Sequence, residues 1–161
     1  MWWLWGLAAW QAVTLLGEYA ERRQVYGEAR AYAEARGKPL LVVGTRNLPA
    51  WHPCGDVSLD IDPEASGNRC ENTVIADVRD IPYPSSYFGA AFLSHVLEHL
   101  DTPEDAAAAL TETSRVADRV FVVSPSRFSP YAWIAPGHHL WIEERDGLFL
   151  MERRGITGKG V

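Results

Sequence analysis

Leu40-Leu41-Val42-Val43-Gly44 is the stretch that decides the fold. Four aliphatic residues with no polar alternation read as a strand buried on both faces, the mark of a parallel sheet covered by helices on either side. Outward from it, Val57-Ser58-Leu59-Asp60-Ile61, Thr73-Val74-Ile75-Ala76, Ala90-Ala91-Phe92-Leu93 and Arg119-Val120-Phe121-Val122-Val123 repeat the pattern and make five strands. Between the last two, Thr102 as N-cap, Pro103 at the first helical position and Glu104-Asp105 in the first turn predict a helix running to about Val116. His139 to Glu144 and Leu148 to Met151 flank Arg145-Asp146-Gly147, which reads as a hairpin with Asp-Gly in its turn. The expectation is a doubly wound, mainly parallel α/β sheet with a C-terminal antiparallel hairpin. Ligands of such sheets bind beyond the carboxyl ends of the strands, so the polar residues just after each run are the candidates.

The composition agrees with a folded chain: 161 residues, 47% hydrophobic and 22% charged, exclude disorder as the main description. Cys54 and Cys70 are too few for a multi-bridge secreted framework or a four-cysteine zinc site, and a reducing compartment is the easier reading. The net charge of -6 disfavours a partner held through phosphates, so no nucleic acid is expected. Before residue 41 there are five basic and four acidic residues, against ten and seventeen after it, so the acidity belongs to the second part.

The first seventeen residues carry no charge and hold four of the seven tryptophans, at positions 2, 3, 5 and 10. A helix of that length rises roughly 25 Å, slightly short of a hydrocarbon core of about 30 Å. Three readings stay open for residues 1–17: membrane anchoring or monotopic insertion, docking on a partner subunit, and packing on the domain's own sheet. If the segment spans, Arg22, Arg23, Arg30 and Arg36 behind it put the folded domain in the cytoplasm. From Glu18 to Arg36 the helical pattern continues until Gly37 and Pro39 stop it, allowing one long rod. The organisation expected is an N-terminal helix over 1–37, a domain over 38–154 and a tail over 155–161.

Asp77-Val-Arg-Asp-Ile-Pro-Tyr-Pro84 and Ser94-His-Val-Leu-Glu-His-Leu100, in this order after the strand-end acids Asp60 and Asp62, resemble class I S-adenosylmethionine-dependent methyltransferases of the small-molecule branch. The likeness spans roughly 39–153 and implies a Rossmann-like methyltransferase fold with S-adenosylmethionine as cofactor. By the resemblance, Asp60, with Ile61 beside it, stands where the family binds the ribose hydroxyls. Asp77 stands where it binds the adenine amino group, and the Val78 amide where a ring nitrogen is reached. Gly44 is what remains of the glycine-rich loop against the methionine part, and His95 either lines the methyl-transfer pocket or caps the following helix. Phe128 to His139 follows the fifth strand where relatives cover the substrate.

Two departures from the family pattern are visible. Gly44 to Asp56 leaves thirteen residues with two prolines between strands, little room for a crossover helix, so the link is a loop or the preceding helix covers that face. Gly89 stands where these proteins often have Asp. His95, Glu98 and His99 also match the His-x-x-Glu-His pattern of inverted zinc proteases. The surrounding strand-loop-helix context fits the methyltransferase pattern instead, no second acidic helix is evident as a source of the third ligand, and no metal site is expected. Asn47, His52, His138 and His139 read as scattered loop polar groups. The function expected is methyl transfer to a small or lipid-like acceptor. The alternative is a degenerate methyltransferase fold serving as a membrane-anchored structural or assembly subunit.

Overall fold

The computed structural model describes residues 2–44, 53–64 and 70–155. Helix α1 runs over Trp2–Ala35, followed by strands β1 (Leu40–Val43), β2 (Val57–Asp60), β3 (Thr73–Ile75) and β4 (Ala90–Ser94). A 3₁₀ turn at Leu97–His99, helix α2 (Pro103–Val116), strand β5 (Val120–Val123), helix α3 (Pro130–Ile134) and strands β6 (Leu140–Arg145) and β7 (Leu148–Arg153) complete the chain. Five strands form one sheet in the order β3-β2-β1-β4-β5, every pair parallel, with Val43 opposite Leu59 on one side and Leu93 on the other. The five-stranded parallel sheet with flanking helices fits the Rossmann-like fold expected from the sequence.

Local rules place most boundaries. Thr102 caps α2, its Oγ1 accepting from the Asp105 amide at 3.1 Å. Helix α1 ends in a Schellman motif: Gly37, at φ +62°, and Lys38 donate to the Glu34 and Ala33 carbonyls. Asp146 and Gly147, at φ +52° and +76°, make the tight turn between the antiparallel β6 and β7.

Each sheet face has its own cover. On one, Leu41, Val43, Leu59, Ala91 and Leu93 pack against α2, the 3₁₀ turn and the hairpin through Ala106, Ala109, Leu97, Leu140 and Ile142. On the other, Leu40, Val42, Ala90, Phe92, Phe121 and Val123 meet the second half of α1 at Ala29 and Ala33, flanked by Val25, Tyr26 and Tyr32. The second half of α1 packs on the domain's own sheet, so the helix before β1 covers this face, as the sequence allowed. Gly89 has a steric reason for lacking a side chain: a Cβ there would meet the Ala33 Cα at 2.9 Å. Ion pairs fix the helix end, with Lys38 Nζ 2.8 Å from Asp118 and Arg30 Nη1 2.8 Å from Asp56.

The first half of α1 is different. Trp2, Trp3 and Trp5 are 93%, 67% and 79% exposed, and Leu7, Trp10, Val13, Leu15 and Leu16 also face outward. The expectation of a transmembrane helix is corrected: among the described residues no helix is long and apolar enough to cross a membrane. The apolar run is interrupted by Gly6, Gln11, Thr14 and Gly17 and meets charge at Glu18, so no window of spanning length is apolar throughout.

Cys54 and Cys70 form a disulfide, which the composition reading did not draw. The bridge ties the loop before β2 to the loop before β3, and α1 holds the same loop where Tyr26 and Arg30 donate to the Cys54 carbonyl at 2.9 and 3.0 Å. A bridge closing a loop of this size restrains the unfolded chain by about 3 kcal/mol. Reduction, or Cys54→Ser with Cys70→Ser, is therefore expected to lower unfolding free energy by about 2–4 kcal/mol. Urea denaturation with and without reductant measures it, and coincident curves would contradict the pairing.

Candidate functional site

A cavity of about 670 Å³ opens over the carboxyl ends of β1, β2, β3 and β4. It lies where the strand order reverses beside β1, the place at which doubly wound sheets leave a crevice because neighbouring connections depart to opposite faces. The size suits a small-molecule or cofactor site. Gly44, Asp60, Ile61, Asp77, Val78 and His95 all line it, so the structure brings every expected site residue together. Asn47, His52 and the rest of the 45–52 segment lie outside the described residues.

Gly44 leaves β1 at φ +80°, its amide donating to the Leu59 carbonyl at 3.1 Å. Asp60 ends β2 half-buried and accepts the Asp62 amide on Oδ1 at 3.1 Å, a turn that aims the chain away from the sheet. Ile61 beside it is 67% exposed at the cavity rim.

Asp77 is strapped. Arg79 donates through Nε and Nη2 to its two oxygens at 3.0 and 2.6 Å, and the Arg79 amide adds a bond to Oδ1 at 2.8 Å. The same guanidinium reaches Asp105 at 2.6 Å, tying the β3 end to the first turn of α2. This bonding, chiefly the Arg79 side chain, holds the Asp77 carboxyl below its ordinary range. Val78, between them, is buried.

His95 follows β4 at φ +55°, a left-handed backbone unusual for a residue with a Cβ. Its ring lines the cavity, with Nδ1 3.5 Å from Glu98 Oε1. Burial, with the Arg22 charge behind it, pushes its pKa down to about 3, so the ring is neutral near pH 7. The inverted-protease pattern needs His95 and His99 on one helix face. Instead, only Leu97–His99 are helical, in a short 3₁₀ turn, and His95 precedes it in the left-handed region.

Arg22, which sequence reasoning missed, completes the wall, and Glu98 lies buried beside His95. Arg22 comes from the middle of α1, is 7% exposed, and donates from Nε to Ser94 Oγ at 2.8 Å. Glu98 is 1% exposed and neither carboxylate oxygen has a hydrogen-bond partner among the described residues; burial pushes its pKa up to about 8. Tyr131, Ala135, Pro136 and His138 close the opposite side, as the resemblance implied for the segment after β5. A charge at Arg22 breaking the apolar register of α1 was the available signal for that residue.

Residues 48–119 match the family model described as a methyltransferase domain. The matched stretch holds β2, β3, β4, the 3₁₀ turn and α2, with Asp60, Ile61, Asp77, Val78 and His95; Gly44, α1 and the C-terminal hairpin lie outside it. The match bears out the resemblance to class I S-adenosylmethionine-dependent methyltransferases and supports methyl transfer from that cofactor in general. No curated protein matches the chain.

A Cβ on Gly44 would stand 2.4 Å from Val96 Cγ2 and 3.0 Å from the Ser94 carbonyl oxygen, besides the strain of its positive φ. Gly44→Ala is thus expected to cost about 1–3 kcal/mol from overpacking alone. Urea unfolding reads the cost, and an unchanged midpoint would show that the β1 end is not held against β4 as described.

Proposed function

We propose that the chain transfers a methyl group from S-adenosylmethionine to a small or lipid-like acceptor in this cavity. The observation that carries the reading is the convergence of Asp60 and Asp77, from adjacent strand ends, with Gly44 on one cavity at the reversal of strand order. The donor set suits the cofactor, since carboxylates accept from hydroxyls and an amino group while a backbone amide donates to a ring nitrogen. When bound, S-adenosylmethionine supplies a methyl group on a cationic sulfur. In this reading Asp60 accepts from the two ribose hydroxyls, and the Val78 amide donates to the adenine ring. Asp77 accepts the adenine amino group with the acceptor capacity that Arg79 leaves. Gly44 lets backbone approach the methionine part, and neutral His95 lines the pocket near the methyl group. Rate enhancement then comes mainly from alignment of the acceptor.

The acceptor side is walled by Tyr131, Ala135 and Pro136. Next to it Phe128, Trp133 and Ile134 are exposed. The exposed half of α1 joins this patch where Trp10 Nε1 donates to the Phe128 carbonyl at 2.9 Å and the Tyr131 amide donates to Gln11 Oε1 at 2.8 Å. An apolar surface rich in tryptophan beside the cavity mouth favours a lipid-like acceptor and a chain that lies on a membrane surface through residues 1–17. The Cys54–Cys70 bridge weighs against the cytoplasmic side, where such bonds are kept reduced. A second reading, a degenerate fold reused as an assembly subunit, draws on one observation: Arg79 already occupies both Asp77 oxygens.

Isothermal titration with S-adenosylmethionine or its demethylated product separates the two readings. The enzyme reading expects saturable binding, weakened by Asp60→Ala by about 1.5–3 kcal/mol, roughly 10- to 150-fold in Kd. No heat from folded protein at millimolar ligand removes it. For the surface, flotation with phosphatidylcholine vesicles is expected to retain the full chain and to lose it when Trp2, Trp3 and Trp5 are replaced by Ser. Retention of that triple variant would contradict the tryptophan contact.

A further inference from the structure

The geometry points to a divalent transition-metal site of zinc type, formed by Glu98, His99 and His138, with both histidines at the wall of this cavity and Glu98 buried beside them. One ligand atom from each residue lies within 4.8 Å of the other two. Zinc bound at about 2.0–2.1 Å in tetrahedral geometry holds its donors about 3.4 Å apart. Closure by at most about 1.4 Å completes the set.

Three features of the cluster suit a cation rather than a merely solvated group of side chains. The Glu98 carboxyl is buried with neither oxygen hydrogen-bonded among the described residues, an arrangement that disfavours its ionised form unless a cation or donor meets it. Arg22 acts on it electrostatically but spends its Nε bond on Ser94. His99 Nδ1 lies 2.8 Å from the Gly137 carbonyl oxygen. A carbonyl only accepts, so Nδ1 carries the hydrogen and the lone pair is on Nε2, the tautomer and outer-shell partner that orient metal-binding histidines. The His99 and His138 rings meet edge to face at 4.7 Å between centroids, brought together by the turn at Gly137, φ +76°.

Two histidines and one carboxylate match the donor preference of zinc and leave a fourth position. His99 and His138 both line the cavity, so a cation held between them borders the space the acceptor would enter. A cation there would polarise an acceptor oxygen as a Lewis acid. The set differs from the inverted-protease motif, since His138 lies on the loop after α3 and His95 is not required.

The test uses the full-length protein, stripped with chelator and titrated with zinc chloride alone, with bound metal measured by elemental analysis. One equivalent is expected. His99→Ala, His138→Ala and Glu98→Gln should each weaken binding at least 10-fold, while His139→Ala, at the exposed neighbouring position, leaves it unchanged; circular dichroism checks that each variant is folded. Failure of the folded protein to take up zinc overturns the site, as does uptake that His99→Ala and His138→Ala both leave intact. Since no nucleoside is present, the result is independent of whether S-adenosylmethionine binds.

Discussion

The sheet of this protein must be covered on both faces, and that constraint governs the rest of the structure. Leu40, Leu41, Val42 and Val43 are all buried, so β1 needs apolar partners above and below. The thirteen residues from Gly44 to Asp56, with two prolines, leave little room for a crossover helix, and α1 covers one face from the N-terminal side. Close contact is possible because α1 presents Ala29 and Ala33 and β4 begins after Gly89, small residues that let helix and strand backbones approach. Tyr26 and Tyr32 then pack edge-on against Phe92 and Phe121. Burying one such aromatic or aliphatic side chain contributes about 1.5–3 kcal/mol, so loss of the helix would expose a face the sheet cannot leave in water.

The covering helix is also part of the site. By crossing the sheet above β4, α1 delivers Arg22 to the cavity floor beside Ser94 and sets its charge near Glu98. Desolvation lowers the Arg22 pKa, while Glu98 and Glu18 act against that loss. Charges this deeply buried cost free energy to remove from water, and each depends on the others for compensation. Cover and chemistry therefore share one element, and the exposed first half of α1 projects from that same anchor toward the aromatic patch around α3.

Legibility of the site followed the range of the interactions. Asp60, Asp77 and His95 stand at ends of apolar runs, and a parallel sheet places all such ends at one edge, so their convergence could be argued from spacing. The strap on Asp77 was hidden. Asp105 reads from sequence as a first-turn acid of α2, and nothing in the intervening residues says that Arg79 bridges it to Asp77. Glu98 and His99 were visible only as half of a motif whose helical premise fails, because His95 adopts a left-handed backbone and breaks the i, i+4 spacing.

The sequence by itself determined what depends on neighbours a few residues away: the buried strands, the Thr102 cap, the stop of α1 at Gly37 and the Asp146-Gly147 turn. Backbone sterics and short hydrogen bonds decide these whatever the surroundings. Only the tertiary structure decided which half of α1 packs and which half faces outward, that Cys54 meets Cys70, and that Glu98, His99 and His138 come together. Those outcomes join segments from 16 to 120 positions apart, as at the disulfide and at the Gln11–Tyr131 contact. The physical reason is that the free energy of such contacts comes from burial and close packing of the whole sheet, which no local stretch of chain contains.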